Sequence, residues 1–291
     1  MKIKTWHLAT IILIALAIVL RFTSRSAPEI AYYTESDHPL VIAHQGGDGL
    51  WPGETMFAYE NAVKIGVDVL EMDIHITSDG TLVLMHDETV DRTTDGIGEI
   101  ESMTLDEIKQ LDAGYDWSPD NGSTFPFRGQ GLKVATLEEV FSAFPDKRMT
   151  IEIKKTNISM TKPFCDLIRE HSMQDKVLVA SFHDDRLKEF RMECPEVATS
   201  SAKNETTLYV LLTKVFLGSF YSPKFYSLQV PEESGGITVM TESFVQAAHA
   251  SNLAVEPWTI NDEETMRKFI EWGVDGIITD RPDILLDVLG R

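Results

Sequence analysis

The apolar positions of this chain fall into short runs separated by segments with helical spacing. "LVIA" (40–43) reads as a buried strand that ends in "HQGGDG". In "TMFAYENAVKIG" (55–66) the positions Met56, Ala58, Tyr59, Ala62 and Val63 share one helical face, and Gly66 stops the helix. "VDVLEMDIHI" and "TLVLMHD" follow, then "MTIEIK" (149–154), "VLVASF" (177–182), "EVATS" (196–200), "FYSLQV" (225–230), "LAVEPWTI" (253–260) and "VDGIITD" (274–280). Helical segments such as "TLEEVFSAF", "DDRLKEFRME", "TESFVQAAHASN" and "EETMRKFIEWG" lie between most of them. This alternation predicts an α/β fold of the TIM (β/α)8 type, with a doubly wound open sheet as the other arrangement of the same elements. No Gly-x-Gly-x-x-Gly follows the first strand, which weighs against the open sheet. Residues 88–131 are polar and turn-rich, too long for a plain connection, and are expected to form a small inserted cap.

Polar residues interrupt the apolar runs where burial is expected. Glu71 and Asp73 share one face of their strand, and so do Glu152 and Lys154 of theirs. Asp79-Gly80 between two apolar runs signals a hairpin. A two-residue turn there places Asp73 opposite His86, on the face that carries Glu71. His44 ends the first strand, where barrel enzymes keep reactive residues. Burying charge without compensation costs several kcal/mol per ion. Glu71, Asp73 and Glu152 therefore require a cation, and an all-oxygen donor set points to Mg2+ or Ca2+ over zinc. His75 has the parity to join them. Trp258, at a strand end, is a candidate substrate-binding residue. His183 and His249 read as structural or surface residues. Trp117, Phe125 and Phe127 are expected either to form an apolar lip or to be the cap's own core.

Composition narrows the functional classes. The net charge of −20 and the lack of a basic stripe exclude nucleic acid as a partner. The same charge requires any phosphate site to supply its own cation. Lys2 and Lys4 precede "WHLATIILIALAIVL" (6–20), and Arg21 and Arg25 follow. This single hydrophobic segment reads as an uncleaved membrane anchor or a removed signal peptide. Either way residues 1–29 are segment and linker, residues 30–291 are the barrel, and the protein is membrane-anchored or exported. Cys165 and Cys194 match no metal motif; one disulfide and two buried thiols both remain open.

The stretch "HQGGDGLWPGETMFAYENAVKIGVDVLEMDIHITSDGTLVLMHDETVDRTTDG" resembles the opening of the glycerophosphodiester phosphodiesterase family. The resemblance continues through "TLEEV", "IEIK", "ASF", "WTIND" and "GVDGIITDRPD", over roughly residues 40–285. It implies a TIM barrel with a cap after the His-Asp pair. It also implies metal-dependent cleavage of glycerophosphodiesters to glycerol 3-phosphate and an alcohol. By position, Glu71, Asp73 and Glu152 become metal ligands, His44 and His86 the acid–base pair, and Lys154 a phosphate-binding residue. Two departures stand out. Where the family has His-Arg-Gly this chain has His44-Gln45-Gly46, so a neutral amide replaces a guanidinium at a substrate-binding position. Where the family has Pro-Glu-Asn-Thr this chain has Pro52-Gly53-Glu54-Thr55, which adds a carboxylate.

The implied substrate is a small glycerophosphodiester. Lysophospholipase D action on lysophospholipids at the same site is the close alternative. A non-catalytic binding module does not account for retention of two histidines and three acids. A metal-independent sugar hydrolase leaves the histidines and Lys154 without a role.

Overall fold

β-Branched and aliphatic runs make the strands, and alternation within each run decides which face each side chain takes. The computed structural model describes residues 25–33 and 38–291. Strand β1 (Leu40–Ala43) turns Leu40 and Ile42 inward and Val41 and Ala43 outward. Strand β2 (Val69–Ile76) is buried along its whole length, with Leu70, Met72 and Ile74 against the helices. β3 (Leu82–Leu84), β4 (Arg148–Ile153), β5 (Val177–Ala180) and β6 (Ala198–Thr199) follow, then β7 (Ser227–Pro231), a small hairpin of β8 (Glu233–Ser234) and β9 (Ile237–Thr238), β10 (Ala254–Trp258) and β11 (Gly276–Thr279). The helices are α1 (Met56–Ile65), α2 (Leu105–Ile108), α3 (Leu137–Ala143), α4 (Thr161–Glu170), α5 (Asp184–Glu193), α6 (Lys203–Lys214), α7 (Glu242–His249), α8 (Glu263–Glu271) and α9 (Pro282–Leu289). Thr55 caps α1 by accepting from the Ala58 amide, and Thr136 with Glu139 forms a capping box on α3. The large core lies between strands and helices. A smaller one, including Tyr32, Leu40, Ile42, Val69, Leu178 and Ile278, fills the inside of the curl.

The sheet does not close into the expected (β/α)8 barrel. Its main sheet is a curled, open one in the order β11-β1-β2-β4-β5-β6, with β3 antiparallel on β2, while β7 and β10 form a separate parallel pair. The two gaps are crossed by isolated bonds. On one side these are Tyr226 N to Thr199 O and Ser201 N to Ser227 O, both 2.9 Å. On the other they are Asp275 N to Val255 O and Ile260 N to Ile278 O, both 3.0 Å. The physical reasons are local. β6 is two residues long, because Ala202 already begins the cap of α6 by donating its amide to Glu205. On β10, Val255 bonds toward β11, and with a period of two Pro257 holds the next place on that edge. Proline has no N–H to continue a ladder.

The hairpin register also differs from the expected one. Ile74 pairs with Leu84, His75 with Val83 and Ile76 with Leu82, so Met85, not His86, lies opposite Asp73. Thr77 and Thr81 close a three-residue loop, Ser78-Asp79-Gly80, with Gly80 at φ 89°. The cause is tertiary: Asp79 accepts from the Leu105 amide, and the Ser78 amide donates to Met103 O.

The described residues do not supply the expected membrane anchor. Among the described residues no helix is long and apolar enough to cross a membrane. The longest of them, α6, has 12 residues, roughly 18 Å at 1.5 Å per residue against an apolar core of about 30 Å. The run 6–20 lies outside the described residues. The membrane partner and the membrane-anchored or exported location are inferred from that run, and the described residues supply no spanning helix to support them. Cys165 on α4 and Cys194 after α5 are joined in a disulfide. Residues 83–134 contribute a satellite core of Val83, Met85, Val90, Ile100, Ile108, Ala113 and Val134.

Candidate active site

The C-terminal ends of β1, β2 and β4 bring the acidic residues and histidines together. Asp73 and Glu152 are register partners on neighbouring parallel strands, and Glu71 sits two residues back on the same face as Asp73. A cavity of about 520 Å3 opens over them. Its lining includes His44, Glu71, His86, Glu152, Lys154 and Trp258. Asp73 lies just behind this wall, 1% exposed. The Lys154 ammonium binds between acids, 3.0 Å from Asp73 Oδ1 and 2.9 Å from Glu152 Oε2.

The two histidines are held in the same way. His44 Nδ1 lies 2.6 Å from Asp280 Oδ1, and Asn261 donates to the other Asp280 oxygen at 2.7 Å. His86 Nδ1 lies 2.7 Å from Asp87 Oδ1, and Arg92 clamps Asp87 with bonds of 2.6 and 3.1 Å. A carboxylate at Nδ1 orients each ring and leaves Nε2 for other chemistry. For His44, Nε2 lies 4.0 Å from Glu71 Oε2.

Electrostatics follow from burial. Burial pulls the His44 imidazolium down, but the charge of Glu71 and the bond to Asp280 outweigh it and raise its pKa to about 9. Burial pushes Glu152 up to about 7, with Asp73 adding to the rise and Lys154 opposing it. Burial raises Glu71, Asp73 and Glu54 too. Asp87 is held at about 2, chiefly by Arg92. His75 is buried, lowered to about 4 by that burial, and is not part of the cavity wall.

The two sequence departures have clear places. Gln45 and Glu54 both adopt left-handed backbone, φ 52° and 59°, and the Glu54 amide donates to Gln45 O at 3.0 Å. The Gln45 amide N–H donates to Glu71 at 2.9 Å and its side chain to Asp73 at 3.3 Å. Gln45 thus braces the carboxylates, and it lines a separate pocket of about 20 Å3 rather than the main cavity. Glu54 accepts from the Asp73 amide and the Tyr59 hydroxyl, tying the loop to β2. Of the aromatic candidates, Trp258 packs edge to face on Phe182 over the cavity. Trp117 and Phe127 pack on each other, Phe127 also meets Phe57, and Phe125 lies under Arg128.

The family model for the glycerophosphoryl diester phosphodiesterase family matches residues 44–284, from His44 into the last helix. The chain belongs to that family. It is 32% identical over 257 residues to a glycerophosphodiester phosphodiesterase of Caldanaerobacter subterraneus subsp. tengcongensis, covering 87% of this chain and 98% of the relative. Its fold resembles the glycerophosphoryl diester phosphodiesterase domain of a Mycobacterium tuberculosis protein, with TM-score 0.76 at 21% identity, covering 88% of this chain and 100% of that one. It also resembles an Oleispira antarctica phosphodiesterase solved with the product sn-glycerol-3-phosphate, with TM-score 0.68 at 26% identity, covering 90% and 100%. Membership makes the protein an enzyme, a phosphoric diester hydrolase with a TIM-barrel-like fold.

For this phosphodiesterase, sequence reasoning missed Asp280, Asp87 and Arg92. Asp87 stands beside His86, and Asp280 directly follows the last strand within "TDRPD", so each had a local signal. Arg92 had none outside the folded cap. Among the described residues, the group of His, Cys, Asp or Glu ligand atoms that all approach within 4.8 Å is Cys165, Cys194 and Glu196. There both sulfurs are already bonded to each other, so neither is a thiolate ligand. The three strand carboxylates do not converge to that distance, with Lys154 between two of them.

Proposed function

We propose that this cavity hydrolyses glycerophosphodiesters to glycerol 3-phosphate and an alcohol, with His44 and His86 as the acid–base pair. The observation that carries the proposal is the matched pair of histidines on one cavity wall, each with a carboxylate at Nδ1. Phosphodiester cleavage needs a proton taken from the nucleophile and a proton given to the leaving oxygen. One imidazole takes the first and the other supplies the second, and the partner carboxylates stabilise whichever ring is protonated. Lys154 provides fixed positive charge against which the phosphoryl group binds. Gln45, through its two bonds, keeps Glu71 and Asp73 in place.

A hard divalent cation, Mg2+ or Ca2+, fits this site by charge and donor type. Glu54, Glu71, Asp73 and Glu152 set four carboxylates against Lys154 and His44, and burial raises all four above their ordinary range. Glu71, Asp73 and Glu152 would hold the ion through oxygen. When bound it would neutralise phosphoryl charge and orient glycerol hydroxyls. The test is alcohol release from glycerophosphocholine and glycerophosphoethanolamine, with and without chelator, for the parent and Glu71→Ala. The reading expects activity that chelator removes and Glu71→Ala lowers on the order of 10²-fold. Full activity in excess chelator overturns the metal assignment, and no release from either diester overturns the substrate.

A second reading, lysophospholipids, is favoured by the far wall. Phe182, Leu211 and Ile237 line the cavity yet are 47%, 53% and 48% exposed, and Val210, Val239 and Trp258 join them. One acyl chain on this wall gains about 0.8 kcal/mol per buried methylene. A KM for lysophosphatidylcholine that falls as the chain lengthens supports it; indifference to chain length removes it.

A further inference from the structure

Glu256, in the middle of β10, is fully buried inside the curl, yet none of the roles above uses it. Three donors hold it. Tyr33 donates its hydroxyl to Oε1 at 2.9 Å, and Ser227 Oγ and Gln229 Nε2 both donate to Oε2 at 2.9 Å. Gln229 is half-buried on β7 and lines the same cavity as His86, Glu152 and Lys154. The Gln229 side-chain amide turns its NH2 toward Glu256, whose Oε2 accepts from it. The amide oxygen is thereby turned away from the carboxylate. Among the described residues that oxygen has no hydrogen-bond partner, and it is not a buried orphan.

We infer that Gln229 is a substrate-binding residue whose amide oxygen accepts a hydrogen bond from a glycerol hydroxyl, and that Glu256 is the positioning residue that fixes this orientation. The inference deepens the glycerophosphodiester reading and rests on it. A carbonyl oxygen in front of a buried carboxylate repels phosphate oxygens, so the phosphoryl group stays at the Lys154 side. What meets Gln229 must carry a donor. In a choline diester the glycerol hydroxyls are the only donors, since the quaternary nitrogen has no N–H. Tyr33 precedes β1 and belongs to the turn Ala31–Tyr33, whose two tyrosines reach Thr150 and Glu256. The hydrogen-bond chain Tyr33–Glu256–Gln229 therefore links that turn to the cavity.

The test uses calorimetric titration of the full chain with glycerol 3-phosphate and with n-propyl phosphate. The second ligand has the same three-carbon length and phosphate but no free hydroxyl. The quantity read is the ratio of the two dissociation constants, at one fixed divalent-ion concentration. The parent prefers glycerol 3-phosphate. Gln229→Leu narrows the ratio about three- to tenfold, the size of one neutral hydrogen bond, by weakening glycerol 3-phosphate alone. Glu256→Gln narrows it in the same direction, because its neutral amide no longer dictates which end of Gln229 faces the cavity. A merely structural Gln229 changes thermal stability, or weakens both ligands equally, and leaves the ratio at the parent value. That result overturns the inference, as does a parent that binds the two phosphates equally. A parental ratio in Glu256→Gln alone overturns the positioning role of Glu256. Hydrolysis of glycerophosphocholine by the parent is scored separately. An active enzyme with an unchanged ratio refutes the Gln229 assignment and leaves the proposed reaction standing.

Discussion

At the scale of residues, the site is a balance between buried charge and the partners that hold it. His44→Ala and His86→Ala are each expected to lower kcat by about 10²-fold or more, as general acid–base groups do. A nitrophenyl phosphodiester, whose leaving group needs no proton, restores the variant that lacks the acid; steady-state kinetics on both substrates checks this. Rescue of neither variant contradicts the division of labour. The raised pKa of His44 also gives a stability signature. Its folded value, about 9, lies above the ordinary 6.5, so its charged contacts stabilise the fold fully below pH 6.5. That contribution fades as pH rises from 6.5 through about 9. In chelator, urea midpoints for the parent and His44→Gln should differ most near pH 6 and draw together by pH 9.5. A gap that widens with pH shows that the sign is wrong.

At the scale of elements, the hairpin of β2 and β3 shows how a loop sets register. The three-residue loop needs Gly80 at φ 89°, in the left-handed region, while a Cβ there meets nothing within 4 Å. The penalty for substitution is thus backbone strain alone, roughly 1–2 kcal/mol for a residue other than glycine. Gly80→Val should lower Tm by several degrees, and Gly80→Asn by less, because asparagine tolerates this conformation. Equal melting temperatures for both variants and the parent show that the loop does not demand this φ. A one-residue change of register turns every strand side chain to the other face, which is why this loop matters to Asp73.

At the scale of the whole molecule, distant segments are tied across the fold. The disulfide joins residues 29 apart and clips α4 to the end of α5. Closing a loop of that length lowers unfolded-chain entropy by an amount worth about 3–4 kcal/mol. The double substitution Cys165→Ala, Cys194→Ala should lose about 2–4 kcal/mol in denaturant titration, with little change in kcat because both cysteines lie outside the cavity wall. Reductant should shift the parent toward the double variant and leave the variant unmoved. The open sheet is held together at its two gaps by the inner core and by single hydrogen bonds, not by continuous ladders.

What the sequence determined by itself was local. Apolar runs and helical spacing located the strands, and period-two alternation put Glu71 with Asp73 and Glu152 with Lys154. These are properties of a few adjacent residues, carried by the backbone geometry of strand and helix. The chemical types at the site were legible for the same reason, and the resemblance to a known family gave them expected roles. Tertiary structure decided the rest. The hairpin slipped by one residue because Asp79 and Ser78 dock on residues 103–105. The sheet stayed open because β6 is cut short by the cap of α6 and Pro257 lacks a donor on the edge toward β11. Proline was visible in the sequence, but the edge it faces was not. His44 finds Asp280 across 236 residues, and Glu256 gathers Tyr33 from before β1 and Ser227 and Gln229 from β7. Such pairings depend on how distant segments pack, and a local pattern holds no record of that.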